Sequence, residues 1–299
     1  MSAINSKIEG AKTRTGGFPI GFRRMWFEWH RDLQSMLAWA RENGFGVIDL
    51  GNDADQSGAI AVKNGLQLGS VDLPEWSGMI SPDKAVRKAA IAKNGAYIKA
   101  CATLGPLNYF VAMLPEKPDL PRSENFGYMV ESFGELAPVL EAHQAKVVIE
   151  GWPGPGALCC TPESYGEFFK ACPTKAMGVN YDPSHLLRMG IDPLRFLREF
   201  ASRVYHVHGK DTDLDAEGLY QYGHEQEPTF GKARGFGAMY WRYTIPGHGV
   251  ARWSEIFRIL VEAGYKGAVS IELEDGAFSG TPEQEKAGLI HGRNFLQGA

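Results

Sequence analysis

Short apolar runs alternate along the chain with longer segments in which apolar residues recur at helical spacing. The apolar runs predict strands at 19–23, 46–51, 66–73, 108–114, 146–151, 177–182, 204–211 and 268–274. The segments between them predict helices at 31–43, 54–63, 82–103, 123–143, 162–171, 192–202, 253–263 and 281–296. This alternation is typical of parallel strands with helical crossovers, and eight such units favour a closed (β/α)8 TIM barrel over an open doubly wound sheet.

The domain organisation follows from the absence of any linker rich in Pro, Ser or Gly. We predict a single barrel domain over residues 18–299, preceded by a flexible polar tail at 1–17. The longest interruption of the pattern runs from Thr212 to Gly249, after the seventh strand, and shows no clear period. A loop that follows a barrel strand lies on the face where barrel enzymes bind their substrates, and a loop of this length usually covers or binds a ligand.

The composition narrows the class of protein by exclusion. The 299 residues are 44% hydrophobic and 22% charged, as in ordinary soluble globular proteins, and carry a formal charge of -4. Proteins that bind nucleic acid usually have a basic surface, so we expect no nucleic-acid partner. No apolar run is long enough to span a membrane, no signal peptide begins the chain, and the four cysteines form no CxxC pair. We therefore expect a cytoplasmic protein with reduced thiols and no membrane partner.

Acidic residues and histidines stand at the ends of four consecutive predicted strands, from the fifth to the eighth. They are Glu150, then Asp182 with His185 three residues later, then His206 and His208, and finally Glu272 and Glu274. The carboxyl ends of barrel strands meet at one mouth, so these side chains converge. Crowded carboxylates repel one another, and a divalent cation removes that repulsion. Oxygen ligands with one imidazole suit Mn²⁺, Mg²⁺, Co²⁺ or Zn²⁺.

Each of these motifs also has an ordinary structural explanation. A single glutamate at a strand end is more often a structural or surface carboxylate, and Asp-Pro-Ser-His alone can form an Asx turn before a helix. Their joint occurrence at successive strand ends favours a metal site. His206 and His208 share one face by the two-residue period of a strand, so spacing alone leaves open which of them is the ligand.

These residues resemble the xylose isomerase-like TIM-barrel superfamily, in its sugar isomerase and epimerase branch. The similarity covers essentially all eight βα units, and the segment PGHGVARW after the long loop is similar to the family's PGxG segment. Its most specific pieces are Glu150, the DPSH of Asp182 to His185, the HGKD of His208 to Asp211, and the SIELED around Glu272. The resemblance implies that one divalent ion is held by Glu150, Asp182, His208 and Glu272. Among the suitable ions we place Mn²⁺ before Mg²⁺, Co²⁺ and Zn²⁺.

The resemblance also decides between the two histidines. The family pattern selects His208 as the ligand, which leaves His206 as a hydrogen-bonded core histidine one layer deeper. The DNA-repair branch of the superfamily binds three zinc ions and uses further histidines on earlier strands. Here the second, third and fourth strand ends read IDLGN, VDLPEW and AMLPEK and contain no histidine. An abasic-site endonuclease is therefore a weaker alternative.

The activity implied by the resemblance is isomerisation or epimerisation of a sugar or keto-sugar through a metal-stabilised enediolate. Glu150 and Glu272 are the candidates that move the proton between the two faces of the substrate, and His185 is the candidate that polarises or protonates a substrate oxygen. The candidate substrate contacts around them are Lys210, Trp152, Arg242, His248 and Glu274.

Several of these candidates have alternatives that the sequence leaves open. Lys210 is also compatible with a solvated lysine paired with Asp211, and His185 with a hydrogen-bonding residue at the start of a helix. The aromatic side chains are also compatible with packing under a loop.

Two further functions remain open from the sequence. Proton abstraction next to a carbonyl also begins an elimination, so a lyase, such as a dehydratase or a β-eliminating enzyme acting on 3-keto-glycosides, is the main alternative. A non-catalytic sugar-binding barrel is the other. In each case we expect a small-molecule carbohydrate as the ligand, and a homo-dimer or homo-tetramer is compatible with the exposed apolar faces of barrels.

Overall fold

The computed structural model describes residues 10–299 and contains ten strands in that range. They are β1 (Ile20–Arg23), β2 (Val47–Leu50), β3 (Gln67–Asp72), β4 (Asn108–Ala112), β5 (Lys146–Glu150), β6 (Met177–Tyr181), β7 (Val204–Gly209), β8 (Asp211–Leu214), β9 (Trp241–Thr244) and β10 (Val269–Ile271). Strands β1 to β7 and β10 are parallel and form a closed barrel, in which β10 lies between β7 and β1. The predicted TIM barrel is confirmed.

Helices follow the barrel strands, and each of the eight predicted helices is present. Their bounds are α1 (Leu33–Glu42), α2 (Ala54–Lys63), α3 (Lys84–Ala100), α4 (Arg122–Ala142), α5 (Pro162–Ala171), α6 (Pro183–Arg188), α7 (Pro193–Phe200), α8 (Ala216–Tyr222), α9 (Trp253–Glu262) and α10 (Pro282–Gly298). The sequence pattern does not predict α6, which is only six residues long. Asp182 caps this helix because its side chain accepts the backbone N–H of Ser184 at 2.8 Å.

The strand register brings the polar residues of neighbouring strands to similar levels inside the barrel. Glu150 of β5 pairs with Asn180 of β6, and Asn180 pairs with His206 of β7. His208, two residues further along β7, pairs with Ser270 of β10. The polar side chains that end these strands therefore share one opening.

The long segment after β7 is partly regular, which differs from the prediction of a loop without period. Strand β8 follows β7 after a single residue and pairs antiparallel with β9, so the two strands form an inserted hairpin. Helix α8 lies between them and is capped by Asp215, whose side chain accepts the backbone N–H of Glu217 at 3.1 Å. Strands of four residues and a helix of seven are too short to show a period in the sequence, which explains the difference.

The segment before the barrel contacts the other end of the chain. Of the tail predicted at 1–17, residues 1–9 lie outside the described residues. The backbone N–H of Thr15 donates to the carbonyl of Ala299, the last residue, at 2.9 Å. The described part of the tail is thus hydrogen-bonded to the C-terminus.

Four buried cysteines form no disulfide bond within residues 10–299; they are Cys101, Cys159, Cys160 and Cys172. Among residues 10–299, no helix combines the length and the apolar character that crossing a membrane requires.

Candidate metal centre and active site

The four residues that the resemblance assigns to a metal ion meet at the mouth of the barrel. Glu150 ends β5, Asp182 follows β6, His208 lies in β7 and Glu272 follows β10. One ligand atom of each lies within 4.8 Å of those of the other three, and all four side chains are buried. They converge because the carboxyl ends of these parallel strands face the same opening. We refer to these four residues as the acidic cluster.

The acidic cluster has the size and composition of a cation site. Nδ1 of His208 lies 2.7 Å from Oε1 of Glu150 and 3.5 Å from Oε2 of Glu272. Despite these short distances, Nδ1 of His208 and Oδ2 of Asp182 have no aligned hydrogen bond among the described residues. Buried polar atoms without a partner are destabilising, and a cation would satisfy both. Three carboxylates and one imidazole fit a divalent ion such as Mn²⁺, Mg²⁺ or Zn²⁺.

Asp49 of β2 links the two histidines of β7. Its Oδ2 lies 2.7 Å from Nε2 of His206 and 3.6 Å from Nε2 of His208. Its Oδ1 accepts the backbone N–H of Ser70 at 3.0 Å and the hydroxyl of Ser270 at 2.8 Å. His206 is thus a fully buried histidine paired with Asp49. The same aspartate lies on the Nε2 side of His208, which leaves Nδ1 facing the carboxylates of the acidic cluster.

Charge pairing keeps the two glutamates of the acidic cluster ionised. Burial acts to raise the pKa of Glu150, but the adjacent imidazoles of His208 and His185 hold it well below its usual range. Burial and the charge of Glu150 act to raise the pKa of Glu272, but Lys210 and His208 lower it to about 2. Burial acts to lower the pKa of His208, and the two glutamates raise it well above its usual value. Both glutamates are therefore anions at neutral pH.

Lys210 is a buried cation next to the acidic cluster, and not a solvated lysine. Its Nζ lies 3.3 Å from Asp182, 3.0 Å from Glu274 and within ion-pair distance of Glu272. Burial acts to lower the pKa of Lys210, but these carboxylates raise it well above its usual value. Asp211, the alternative partner of this lysine, accepts backbone N–H groups from the segment that follows the inserted hairpin.

His185, in the short helix α6, lies beside the acidic cluster. Its Nε2 lies 3.4 Å from Oδ2 of Asp182 and 3.5 Å from Oε2 of Glu150. On the other side of the ring, Nδ1 lies 2.7 Å from the hydroxyl of Tyr243, which belongs to β9 of the inserted hairpin. The structure thus brings His185 into the site together with Tyr243, which the sequence analysis does not select.

Comparison with known proteins assigns this chain to one family. The family model described as xylose isomerase-like TIM barrel matches residues 32–298. The chain belongs to this family. The inosose dehydratase of Clostridium tetani is 27% identical over 182 residues, which are 61% of this chain and 57% of that protein. The chain spans 31% and 57% of the lengths of the first two curated relatives that it matches.

Solved structures share the fold at low sequence identity. The D-psicose 3-epimerase of Clostridium cellulolyticum H10 has a TM-score of 0.67 and 18% identity, over 93% of this chain and 98% of that one. The 3-keto-D-glucoside 4-epimerase YcjR of E. coli has a TM-score of 0.65 and 14% identity, again over 93% and 98% of the two chains. At these identities the likeness shows the fold alone.

Arg23 of β1 is a further residue of this xylose isomerase-like barrel that the sequence analysis does not select. Its Nη2 lies 2.8 Å from Oδ1 of Asp72, and its Nε lies 3.3 Å from Oε1 of Glu272. Its guanidinium lies 4.2 Å from the ring centre of Phe110, and that ring stacks on His208 with 5.3 Å between the centres. The only sequence signal for Arg23 is that it is the first of two arginines after the apolar run IGF.

The remaining predicted contacts differ in how closely they join the acidic cluster. Glu274 pairs with Lys210 at 3.0 Å, and burial raises the pKa of Glu274. Trp152 is half-buried two residues after the end of β5. Arg242 forms ion pairs with aspartates of the inserted hairpin and of the loop after β10, and His248 is exposed. The structure therefore joins Glu274 to the site, whereas the ion pairs of Arg242 are directed elsewhere.

Proposed function

We propose that this protein is a divalent-metal-dependent isomerase or epimerase of sugars or keto-sugars that moves a proton next to a carbonyl group. The observation that carries the proposal is a pair of buried glutamates that face one nitrogen of the same histidine. Glu150 and Glu272 lie 2.7 Å and 3.5 Å from the same nitrogen of His208. They belong to the ends of β5 and β10, which are separated in the barrel by β6 and β7. The two carboxylates therefore approach the site from different sides.

The acidic cluster would hold the ion through Glu150, Asp182, His208 and Glu272. We propose Mn²⁺ first, with Mg²⁺, Co²⁺ and Zn²⁺ as alternatives. When bound, the cation would act as a Lewis acid towards a carbonyl oxygen and the neighbouring hydroxyl oxygen of the sugar. A carboxylate that binds a cation through one oxygen keeps the other oxygen available for a proton.

Glu150 and Glu272 would share the proton transfer. Both are ionised at neutral pH because the pKa of each is lowered, so either can accept a proton from the carbon next to the carbonyl. In a reversible epimerisation, each carboxylate acts as the base in one direction, and its protonated form is the acid in the other. Asn180 Nδ2 donates to Oε1 of Glu150 at 2.9 Å, and Arg23 lies beside Glu272. These contacts hold the two carboxylates in fixed orientations.

The similarities to known proteins support this proposal at the level of chemistry. Two solved structures with this fold are named as epimerases, one of psicose and one of a keto-glucoside. Both names describe inversion at a carbon of a sugar that carries a ketone. Such an inversion requires two bases, and the two buried glutamates of the acidic cluster are the groups that we propose for them.

A lyase on the same scaffold is the second candidate, and Glu274 is the residue that favours it. Loss of a hydroxyl or alkoxyl group from the carbon β to an enolised carbonyl is assisted by an acid that protonates the leaving oxygen. Burial raises the pKa of Glu274, which makes its carboxyl group easier to protonate than an exposed one, and its ion pair with Lys210 at 3.0 Å holds it beside the acidic cluster. The partial sequence similarity to an inosose dehydratase supports this candidate.

Product analysis distinguishes the two candidates. The purified protein is incubated with Mn²⁺ and a panel of ketoses, inososes and 3-keto-glycosides, and the products are identified by NMR. We expect an isomer of the substrate; an unsaturated product would assign a lyase instead. If the protein is an isomerase, Glu274→Gln should change the rate of isomerisation by less than about tenfold. If it is a lyase, the same substitution should slow the elimination by about 100-fold or more. Sugar binding with no turnover of any substrate in the presence of metal would contradict both assignments.

A further inference from the structure

Tyr243 connects the inserted hairpin to the active site. Its hydroxyl lies 2.7 Å from Nδ1 of His185, and Nη1 of Arg188 donates to the same hydroxyl at 2.6 Å. Tyr243 is buried, and Nζ of Lys210 lies 4.6 Å from the centre of its ring. Guanidinium, phenol and imidazole thus form a hydrogen-bonded chain that ends beside the acidic cluster.

The number of protons in this hydrogen-bonded chain determines which group donates and which accepts in each contact. The guanidinium of Arg188 can only donate, so the oxygen of Tyr243 is an acceptor in that contact. The phenol has one proton of its own, and within residues 10–299 its hydroxyl bonds only to Arg188 and His185. Donation of this proton to Nδ1 of His185 gives every group a partner. A neutral imidazole that accepts at Nδ1 carries its own proton on Nε2.

Lys210 is the competing donor to His185. Its Nζ lies 3.4 Å from Nε2 of His185 and is also hydrogen-bonded to two glutamates. If Lys210 donated to Nε2, a neutral His185 would carry its proton on Nδ1, and the phenol proton of Tyr243 would have no acceptor among residues 10–299. If Tyr243 donates to Nδ1, the phenol proton has an acceptor, and the third lysine proton can point towards Oδ2 of Asp182, 3.3 Å away. The contacts of Tyr243 therefore favour the proton on Nε2.

We propose that Tyr243 and Arg188 are positioning residues that hold His185 in the tautomer with its proton on Nε2. In this form the ring presents a hydrogen-bond donor to a substrate oxygen at the mouth of the barrel. The nature of that substrate rests on the proposed function, but the tautomer does not. The inserted hairpin is then a part of the active site, because it supplies the hydroxyl that orients the imidazole.

Nitrogen-15 NMR of the histidine side chains tests this inference directly. In the wild-type protein we expect a protonated Nε2 and an unprotonated Nδ1 for His185, with the resonances assigned by their loss in His185→Gln. In Tyr243→Phe we expect the tautomer protonated on Nδ1 to appear, because Nδ1 has lost its donor. Tyr240→Phe is the matched control, since the hydroxyl of Tyr240 donates to the backbone carbonyl of Arg188 at 3.0 Å.

Arg188 provides a second pair of variants. Arg188→Lys keeps a donor to the hydroxyl of Tyr243 and should preserve the tautomer of His185. Arg188→Met removes the donor and should produce a mixture of tautomers. Both substitutions leave Tyr243 and His185 unchanged, so they test the proposal even where Tyr243→Phe fails to fold.

Steady-state kinetics test the role of Tyr243 in the reaction. Tyr243→Phe should lower kcat by about 10- to 100-fold and change KM by less than about threefold, because the donor matters most when charge develops on the substrate oxygen. The affinity for Mn²⁺ should stay within about threefold of wild type, since neither Tyr243 nor Arg188 belongs to the acidic cluster.

Two spectral results would overturn the proposal. One is a wild-type spectrum with the proton of His185 on Nδ1 or on both nitrogens, and the other is an unchanged tautomer in Tyr243→Phe. Neither result depends on a substrate. A failure of this inference is therefore distinguishable from a failure of the proposed function.

Discussion

Lys210 is 1% exposed and lies among three carboxylates, which is a rare environment for a lysine. Two of these carboxylates, Asp182 and Glu272, also belong to the acidic cluster. At the residue scale, the ammonium group and the proposed cation therefore stabilise the same negative charges. When either cation is absent, the stabilisation of these carboxylates depends more strongly on the other.

Lys210→Met provides a test of this shared role. In the presence of a chelator, we expect the substitution to lower the free energy of unfolding by about 3–5 kcal/mol, because it leaves buried carboxylates without their cation. Addition of Mn²⁺ should stabilise the variant more than the wild type. Urea unfolding with and without Mn²⁺ measures both effects. Lys93→Met is the control, since Lys93 pairs with Glu75 at the surface and should contribute less than about 1 kcal/mol. Equal stability of Lys210→Met and wild type in chelator would contradict the account.

His30, between β1 and α1, predicts a dependence of stability on pH. Its Nδ1 accepts the backbone N–H of Met25 at 2.9 Å. Burial, together with the charges of Arg24 and Lys286, lowers the pKa of His30 to about 3. In the unfolded chain this histidine has a pKa of about 6.5, so the unfolded state binds more protons below that pH. The contribution of His30 is therefore complete above about pH 6.5 and decreases as the pH falls towards 3.

Comparison of wild type with His30→Asn isolates this effect, because asparagine keeps an acceptor for the N–H of Met25 but does not titrate. When the pH is lowered from 6.5 to 4, we expect the free energy of unfolding of the wild type to fall by about 3 kcal/mol relative to that of His30→Asn. Urea unfolding across this pH range measures the difference. A difference that stays constant with pH would contradict the lowered pKa.

At the scale of elements, one carboxylate ties the beginning of the inserted hairpin to the segment after its end. Asp211, the first residue of β8, accepts the backbone N–H groups of Gly247 at 3.2 Å and Ala251 at 2.9 Å, and Nε1–H of Trp253 at 3.1 Å. The packing there is close, because a Cβ added at Gly249 would lie 2.3 Å from Oδ1 of Asp211. Asp211 therefore fixes the position from which the hairpin places its side chains.

Asp211→Ala should destabilise the protein and disturb the inserted hairpin. We expect a loss of about 2–4 kcal/mol in the free energy of unfolding, because buried N–H donors lose their common acceptor. Asp213→Ala is the matched control in the same strand. Asp213 pairs with Arg242 at 3.1 Å but is partly exposed, so its loss should amount to less than about 1 kcal/mol. Chemical denaturation measures both values, and equal losses in the two variants would refute this role of Asp211.

The elements of the barrel could be predicted from the sequence, because strand and helix periodicity are local properties. The inserted hairpin and α6 could not, since each regular piece is too short to repeat a pattern. The position of the acidic cluster was predictable because its residues stand at the ends of successive strands, whereas the choice of His208 over His206 rested on the family resemblance. Asp49, Arg23 and Tyr243 were not predictable, because each joins the site through contacts with residues that are far away in the sequence. Asp49, for example, is 157 positions away from its partner His206.

At the scale of the whole molecule, the two halves of the barrel supply different parts of the site. Strands β5, β6, β7 and β10, with the residues that follow them, supply the acidic cluster and Lys210. The other strands supply Arg23, Asp49 and Phe110, which contact the cluster from the opposite side. The site is therefore complete only when the barrel is closed.

Deuterium incorporation from solvent tests the central claim most directly, namely that Glu150 and Glu272 transfer a proton next to a carbonyl at a cation-dependent site. The protein is incubated in D2O with Mn²⁺ and a ketose or 3-keto-glycoside, and the recovered sugar is analysed by mass spectrometry. Glu167→Gln, at an exposed position of α5, serves as the control variant. We predict deuterium on the carbon next to the carbonyl in wild type and control. Removal of the metal, or Glu150→Gln in a folded protein, should reduce incorporation by about 1000-fold. Incorporation at the wild-type rate in Glu150→Gln, or at an equal rate without divalent metal, would contradict the claim.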